Sequence, residues 1–178
     1  MNIEIADSAE KPENRLHTND RPNVKEKWAA VTIETQLSGM VLLPGVGGAY
    51  AFGTTLVGFT NLATGESFAA SYFFKLIACE GAGLSAWGLS VQAGVVVADF
   101  PSGSKQTDIA ESYSGPFITK NLSVGPIVGS SISSEKWHGS SLGASFAAGF
   151  PVALTSFETD YSHPSYINIP SYYPYSGY

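Results

Sequence analysis

Five consecutive residues, Gly139-Ser140-Ser141-Leu142-Gly143, match the G-x-S-x-G pattern that presents a nucleophilic serine in many hydrolases. His138 stands directly before them, and Asp160 and His163 follow, so a base and an acid are at hand in the sequence. The pattern works only where a strand turns sharply into a helix. The residues after Gly143 instead alternate as in a strand, and only 35 residues remain in the chain. We therefore expect a chance match in a chain rich in Ser and Gly, and no catalytic residue.

The other residues capable of site chemistry are scattered. His17, His138 and His163 are far apart, whereas metal ligands usually occur close together. Cys79 is the only cysteine, so the chain can form neither an internal disulfide nor a thiolate metal cluster. Residues 45–48, GVGG, lack the lysine and the spacing of a phosphate loop. We expect no metal and no cofactor, and an enzyme is the function class with the least support.

Charge is distributed unevenly along the chain. It carries nine Lys and Arg against fifteen Asp and Glu, which gives a formal net charge of −6. Eleven of these residues lie in residues 1–27, so residues 28–178 are only about 9% charged, against about 25% in an ordinary soluble domain. The sequence has no basic cluster, and we therefore expect no nucleic-acid partner.

The elements that would position any site have the pattern of strands. From Val31 onward, apolar and polar residues alternate with a period of two, and no long helical period interrupts them. Turn signals, such as those in residues 61–66 and 101–103, separate about seven or eight long runs. The sequence predicts an all-β fold, an antiparallel meander closed into a barrel rather than folded as a sandwich. Because neighbours in sequence tend to pair, we favour an up-and-down barrel over a Greek key.

In one run the alternation leaves open which face of the strand points into the barrel. In residues 141–158, SLGASFAAGFPVALTSFE, large apolar side chains such as Leu142 and Phe146 share one parity, while Gly143, Ser145 and other small residues share the opposite parity. In a strand each parity is one face. We favour a soluble barrel, in which the large face points inward and the small face lies outside. In a membrane barrel the large face points outward to lipid, and aromatic residues near strand ends, such as Phe59, Phe100, Tyr113 and Trp137, are compatible with that arrangement.

The chain divides into three parts. Residues 1–27 form a charged arm, disordered or ordered by a partner; residues 28–163 form a single β domain; and residues 164–178 form a tail rich in Tyr and Pro. Proline holds such a tail extended, and tyrosine supplies flat apolar area, so the tail docks on its own barrel or on a partner. The candidate contact residues are Tyr166, Tyr172, Tyr173, Tyr175 and Tyr178.

Three functions fit these features. The first is a non-enzymatic module that acts through protein–protein contacts or self-assembly into a homo-oligomer, because two tails of opposite character flank a charge-poor body. The second is a barrel that holds a lipid or another apolar small molecule, with Phe52, Phe73 and Trp87 as candidate cavity residues. The third is a membrane-inserting, pore-forming barrel. The sequence has neither a secretory signal nor an apolar run long enough for a transmembrane helix, so we expect a cytoplasmic protein or one exported without a cleavable signal.

Overall fold

A computed structural model describes residues 24–43, 46–83, 86–148 and 152–167 of the 178-residue chain. Nearly all of them form antiparallel strands, which confirms the all-β prediction. The elements are β1 Lys25–Leu43, β2 Val46–Asn61, β3 Ser67–Gly83, β4 Ala86–Pro101, α1 Gln106–Glu111, β5 Gly115–Val124, β6 Ile127–Ser133, β7 His138–Ala148, β8 Val152–Tyr161 and β9 Ser165–Tyr166.

Eight of the strands close into a barrel, as the sequence predicted. The order around the ring is β2-β1-β4-β7-β6-β5-β8-β3, and pairing of β2 with β3 completes it. Every pair is antiparallel. The short β9 adds to β3, where Tyr166 pairs with Ala70.

The strand order differs in part from a simple up-and-down arrangement. β1, β2 and β3 form one sequential meander, and β5, β6 and β7 form another. β4 instead lies between β1 and β7, and β8 lies between β3 and β5. Three connections, β3 to β4, β4 to β5 and β7 to β8, join strands that are not neighbours in the ring, and of these the β4–β5 connection, residues 102–114, is described and crosses the charged end.

The barrel has two unlike ends. At one end, which we call the hairpin end, lie the turns of the β1–β2 and β5–β6 hairpins; the chain also passes there from β3 to β4 and from β7 to β8, which are not paired with each other. At the opposite end lie the β2–β3 loop, the α1 segment of residues 102–114 and the β6–β7 turn. We call this second end the charged end, because Lys25, Glu66, Asp108, Glu111 and Lys136 lie there. The half of the barrel next to each end is named after it.

The loop at residues 61–66 was predicted, but α1 was not. Asn61 fixes the loop, since its side-chain oxygen accepts hydrogen bonds from the backbone N–H groups of Ala63, at 2.8 Å, and Thr64, at 3.2 Å. The sequence predicts no helix in this connection, whereas residues 106–111 are helical. A six-residue helix with its two buried residues, Ile109 and Ala110, side by side shows no 3.6-residue period.

Large side chains fill the charged half of the barrel and form what we call the aromatic plug. Trp137 lies near its centre, with ring centroids 5.6 Å from Phe59, 5.6 Å from Phe100 and 5.7 Å from Tyr113. Its indole Nε1 donates a hydrogen bond to Ser112 Oγ at 3.0 Å. The plug comprises Trp28, Phe59, Tyr72, Phe74, Phe100, Ile109, Tyr113, Phe117, Trp137 and Tyr161, all buried.

Candidate functional site

On β7 the large side chains point away from the barrel. Leu142 is 65% exposed and Phe146 is 73% exposed, whereas Ser141, Gly143 and Ser145 face the interior and are half-buried. The prediction that the large side chains of this strand point into the barrel is therefore wrong.

The same inversion occurs on two neighbouring strands of the ring. On β1, Val31, Ile33 and Leu37 are exposed, while the alternate residues Thr32 and Gln36 are buried. On β4 the outward residues Leu89, Val91, Val95 and Val97 are apolar and exposed, and the inward residues Ser90 and Gln92 in the hairpin half are polar and buried. The hairpin half of the barrel is thus apolar outside and polar inside.

The outward apolar side chains surround the barrel, and we call them the outer belt. The belt comprises Val31, Ile33, Leu37, Tyr50, Phe52, Leu56, Phe73, Ile77, Leu89, Val91, Val95, Val97, Ile118, Leu122, Val124, Ile127, Leu142, Phe146 and Leu154, all exposed. Two outward hydroxyls within the belt are hydrogen-bonded to each other, with Thr35 Oγ1 and Thr54 Oγ1 3.0 Å apart.

Charged residues shorten the belt on one side of the barrel. Lys75 on β3 pairs directly with Asp160 on β8, and on the outer face of β8 and β5 Glu158 and Lys120 lie diagonally to each other. Nearer the hairpin end than Lys120, the outer face of β5 and β8 is apolar again, since the paired residues Leu122 and Leu154 are both exposed. The belt therefore extends further along β2, β1, β4 and β7 than along β3, β8 and β5.

Polar side chains, together with the buried Ala51 and Val128, line the inside of the hairpin half, and we call the polar ones the lumen wall. Its members are Gln36, Ser38, Ser90, Gln92, Asn121, Ser130, Ser141, Ser145 and Thr155. Gln92 Oε1 accepts hydrogen bonds from the hydroxyls of Ser130, at 2.7 Å, and Ser141, at 3.0 Å, and so links three neighbouring strands.

The small inner face of β7 has a steric cause. A Cβ added to Gly139 would lie 2.0 Å from the backbone oxygen of Val95, and one added to Gly143 would lie 2.1 Å from that of Val91. Both oxygens belong to β4, which approaches β7 too closely for a side chain at these positions. The sequence shows this close approach only as glycines of one parity.

One carboxylate lies where the lumen wall meets the aromatic plug. Glu34 on β1 faces inward and is half-buried. Its Oε2 accepts hydrogen bonds from Tyr161 OH at 2.9 Å and from Thr55 Oγ1 at 3.3 Å. Sequence reasoning missed this residue, because an acid in an alternating strand is ordinarily a solvated outward residue.

The candidate cavity residues lie on the outside. Phe52 is 43% exposed and Phe73 is 49% exposed, and they are neighbours on the outer face of β2 and β3 rather than parts of an interior cavity. Trp87 lies on β4, where its backbone is paired with Gly39 and Ala148, and its side chain is outside the described residues.

The candidate contact residues of the tail are mostly beyond the described range. Tyr166 belongs to β9 and is about half exposed, so this part of the tail lies along its own barrel. Tyr172, Tyr173, Tyr175 and Tyr178 lie outside the described residues.

The G-x-S-x-G residues run along β7 with no turn into a helix, and Ser141 is hydrogen-bonded to Gln92. His138 is exposed, and His163 Nδ1 lies 2.8 Å from Glu111 Oε2 at the charged end. The described residues include no group of three or more His, Cys, Asp or Glu that could hold a metal ion. No helix among them is long and apolar enough to cross a membrane.

These features define the class: a closed, eight-stranded antiparallel β-barrel whose charged half is filled with aromatic side chains and whose hairpin half is apolar outside and polar inside. The aromatic residues Phe59, Phe100, Tyr113 and Trp137, which the sequence suggested as residues near a membrane surface, lie in the plug instead. Comparison of the chain with protein-family models, with curated proteins and with solved structures finds no match.

Proposed function

We propose that this protein inserts the hairpin end of its barrel into a lipid bilayer. The observation that carries the proposal is the inversion of the hairpin half, where the outer belt is apolar and the lumen wall is polar. Outward apolar and inward polar residues are the alternation of membrane barrels, since lipid replaces water as the outer solvent. A barrel in water gains free energy from the opposite arrangement, because burial of apolar surface drives its folding.

The backbone supports the same proposal. The eight strands form a closed ring, so no strand edge presents unpaired N–H and C=O groups to lipid. A membrane-crossing strand needs about 9–11 residues. β1 to β4 contain 19, 16, 17 and 16 residues, which is enough to cross and to continue into the charged half, whereas β5 to β8 contain 10, 7, 11 and 10 residues, so that side of the barrel is expected to enter the bilayer less deeply.

The distribution of charge gives the direction of insertion. Residues 35–65, 81–98, 121–134 and 137–157 contain no Lys, Arg, Asp or Glu, and each of these runs includes one turn of the hairpin end. A charged side chain at the centre of a bilayer costs about 2.5–3.5 kcal/mol on insertion scales. The hairpin end therefore enters the bilayer and the charged end stays in water.

The unequal belt sets the angle of insertion. Lys75, Lys120, Glu158 and Asp160 would be costly in lipid, so the bilayer surface passes nearer the hairpin end on their side of the barrel. On the opposite side, Val31 and Val97 extend the apolar surface further toward the charged end. We infer that the barrel axis is tilted relative to the bilayer normal.

Vesicle flotation tests the proposal. We expect the purified full-length protein to float with phosphatidylcholine vesicles on a density gradient. The double variant Leu142→Asp with Phe146→Asp places two charges in the outer belt and is expected to lose most of the floated fraction. The matched control is Leu62→Asp, an exposed leucine in the β2–β3 loop at the charged end, which is expected to float like the wild type.

Two results would overturn membrane insertion. One is wild-type protein that stays at the bottom of the gradient; the other is equal flotation of the belt variant and the wild type. Circular dichroism of each variant shows whether its strands are retained, so that a loss of flotation is not confused with a loss of fold.

A protein–protein function remains the second candidate, because the outer belt is also a surface that other protein chains could cover. It predicts a homogeneous oligomer in detergent-free buffer, or a complex with another protein, in which the belt is buried. Light scattering coupled to size exclusion measures this directly. A stable soluble oligomer that does not float would favour assembly over insertion.

A further inference from the structure

We propose that a recess on the outer face of the barrel, at the charged end, binds a phospholipid headgroup that carries a primary ammonium group, as in phosphatidylethanolamine. The recess has a volume of about 300 Å³, at the small end of the range for ligand sites. This inference rests on the proposed membrane insertion, since it assigns a lipid class to the bilayer that the outer belt would enter.

The recess contains both signs of charge in equal number. Its charged lining residues are Lys27, Lys136, Asp99 and Glu135, all with exposed side chains. Lys27 and Asp99 are directly paired across β1 and β4, and no ion pair joins them in the described part of the chain. These charges are therefore available to a ligand. Two positive and two negative groups match a zwitterion better than an anion.

The recess begins where the outer belt ends. Val97, a belt residue on β4, lines it and pairs with His138 on β7, which lines it too. Asp99 is the next outward residue of β4 toward the charged end, about 6–7 Å further along the strand. The headgroup layer adds about 5–8 Å on each side of the hydrocarbon core. With Val97 at the edge of the hydrocarbon, Asp99 and Lys27 lie at the level of the headgroups.

The length of β4 agrees with this level. Residues 86–97 contain no charged residue and extend about 36 Å along the strand. At the tilt of about 35–45° that is usual in membrane barrels, this length covers about 26–30 Å along the bilayer normal. The hydrocarbon core is about 30 Å thick. The uncharged part of β4 is thus long enough to place Val97 at the hydrocarbon edge.

The chemistry of the lining favours ethanolamine over choline. A primary ammonium donates hydrogen bonds to carboxylates such as Asp99 and Glu135, while the lysines bind the phosphate. A choline group has no N–H donor and is held by aromatic faces. None of the described lining residues is aromatic, and the Phe100 ring at this end already faces Lys136 Nζ, 5.5 Å from its centroid.

Vesicle flotation with two lipid compositions tests the headgroup preference. The full-length protein is mixed with vesicles of phosphatidylcholine or of phosphatidylcholine and phosphatidylethanolamine in equal amounts. Two charge-assisted contacts at an exposed site predict a partition coefficient that is about threefold to tenfold higher on the mixed vesicles.

A double variant locates the preference. Lys27→Gln with Asp99→Asn keeps the net charge and nearly the side-chain size, and is expected to bind both kinds of vesicle equally. The matched control is Lys75→Gln with Asp160→Asn, a second directly paired lysine and aspartate outside the recess, which is expected to retain the preference. Circular dichroism checks that both variants keep their strands. A preference that persists in the recess variant would come from bilayer packing and would overturn the site.

A soluble headgroup tests the recess without a membrane. Glycerophosphoethanolamine has no acyl chains, and the imidazole resonances of His138 report its binding in water. We expect a saturable shift of His138, and none of His163, which contacts Glu111 outside the recess. Glycerophosphocholine and glycerophosphate are expected to shift His138 less, because each lacks the primary ammonium.

The two experiments separate this site from membrane insertion. If the protein floats on no vesicle, insertion fails, and the His138 titration alone decides the recess: a saturable shift supports the headgroup site and no shift overturns it. If the protein floats equally on both compositions and His138 does not respond, only the headgroup site is overturned. An equal response to glycerophosphate would indicate a phosphate site and would contradict the ammonium assignment.

Discussion

At Gly143 the inner face of a strand is small because a neighbouring backbone leaves no space for a side chain. The carbonyl oxygen of Val91 occupies the position that a Cβ would take, and the same holds at Gly139 with Val95. The small size of the inner face of β7 is thus partly a consequence of close strand packing.

We expect Gly143→Ala to destabilise the barrel by about 1–3 kcal/mol, because β4 and β7 must move apart to admit the methyl group. Gly129→Ala is the matched control, since its Cβ would meet only Leu142 Cδ1, at 4.0 Å, and this variant is expected to be neutral. Urea unfolding midpoints of the two variants measure the difference. Equal midpoints would contradict the steric explanation.

At Glu26, hydrogen bonds from the hydroxyl of Ser102 and the amide of Asn61 hold the pKa of the carboxyl below its usual value of 4.5. Glu26 lies at the charged end, outside the part proposed to enter the bilayer. A lowered pKa in the folded state stabilises the protein above the unfolded pKa, and the stabilisation is lost as pH falls through the folded pKa.

We therefore expect the free energy of unfolding to decrease as the pH is lowered from about 4.5, and to decrease less steeply in Glu26→Gln. Urea unfolding at stepped pH measures the two slopes. Glu135→Gln, a substitution of an exposed carboxyl in the β6–β7 turn, is the control and is expected to keep the wild-type slope. If the free energy of unfolding depends on pH equally steeply in Glu26→Gln and wild type, Glu26 is not the source of the pH dependence.

The sequence predicts which residues of β7 share a face, but not which face is inside. Leu142 and Phe146 have the same parity in a soluble barrel and in an inverted one, since parity depends only on the pleat of the strand. The direction depends on strands far away in sequence. Glu34 shows the same limit, because its inward position follows from the ring and not from its neighbours in β1.

Among the elements, the α1 segment has the largest influence on the charged half. It places Ile109 in the plug, and the carbonyl oxygen of Ala110 accepts a hydrogen bond from Tyr72 OH at 2.9 Å. The hydrogen bond between His163 and Glu111 attaches the chain after β8 to the same segment. The segment that connects β4 to β5 therefore also covers the charged end of the barrel.

We expect Trp137→Ala to reduce the free energy of unfolding by about 3–5 kcal/mol, because it removes the largest side chain at the centre of the plug and the hydrogen bond to Ser112. Phe52→Ala, on the exposed outer face, is expected to cost less than about 0.5 kcal/mol in the same urea experiment. Similar losses in both variants would show that the plug is not the main source of stability.

Elements with local signals could be predicted, and those that depend on distant contacts could not. The turn at 61–66 is specified by Asn61 and by Gly65, whose φ of 77° favours glycine. The position of β4 beside β1 has no such local signal. It depends on pairs such as Trp28 with Ala98, which are separated in the chain by the two strands β2 and β3.

For the molecule as a whole, the plug implies that an inserted barrel does not conduct. Trp137, Tyr113 and Phe59 fill the interior of the charged half. If the barrel inserts as proposed, we expect it to bind the membrane without forming a continuous channel, so the pore-forming function that the sequence also suggested is not expected.

We accordingly expect vesicles that have bound the protein to retain an encapsulated fluorescent dye. The measurement compares dye release at increasing protein-to-lipid ratios with complete release by detergent, on vesicles recovered by flotation so that binding is established. Release that rises in proportion to bound protein would contradict a filled interior.

The strand order also determines how the chain must reach its native state. The meanders β1–β3 and β5–β7 join strands that follow each other, so each can assemble early from local contacts. β4 and β8 connect the two meanders through pairs such as Phe74 with Tyr161, which are distant in sequence and slow to meet. Until both strands dock, the half-built sheet exposes open edges beside an apolar face, and in that interval the chain is prone to aggregate.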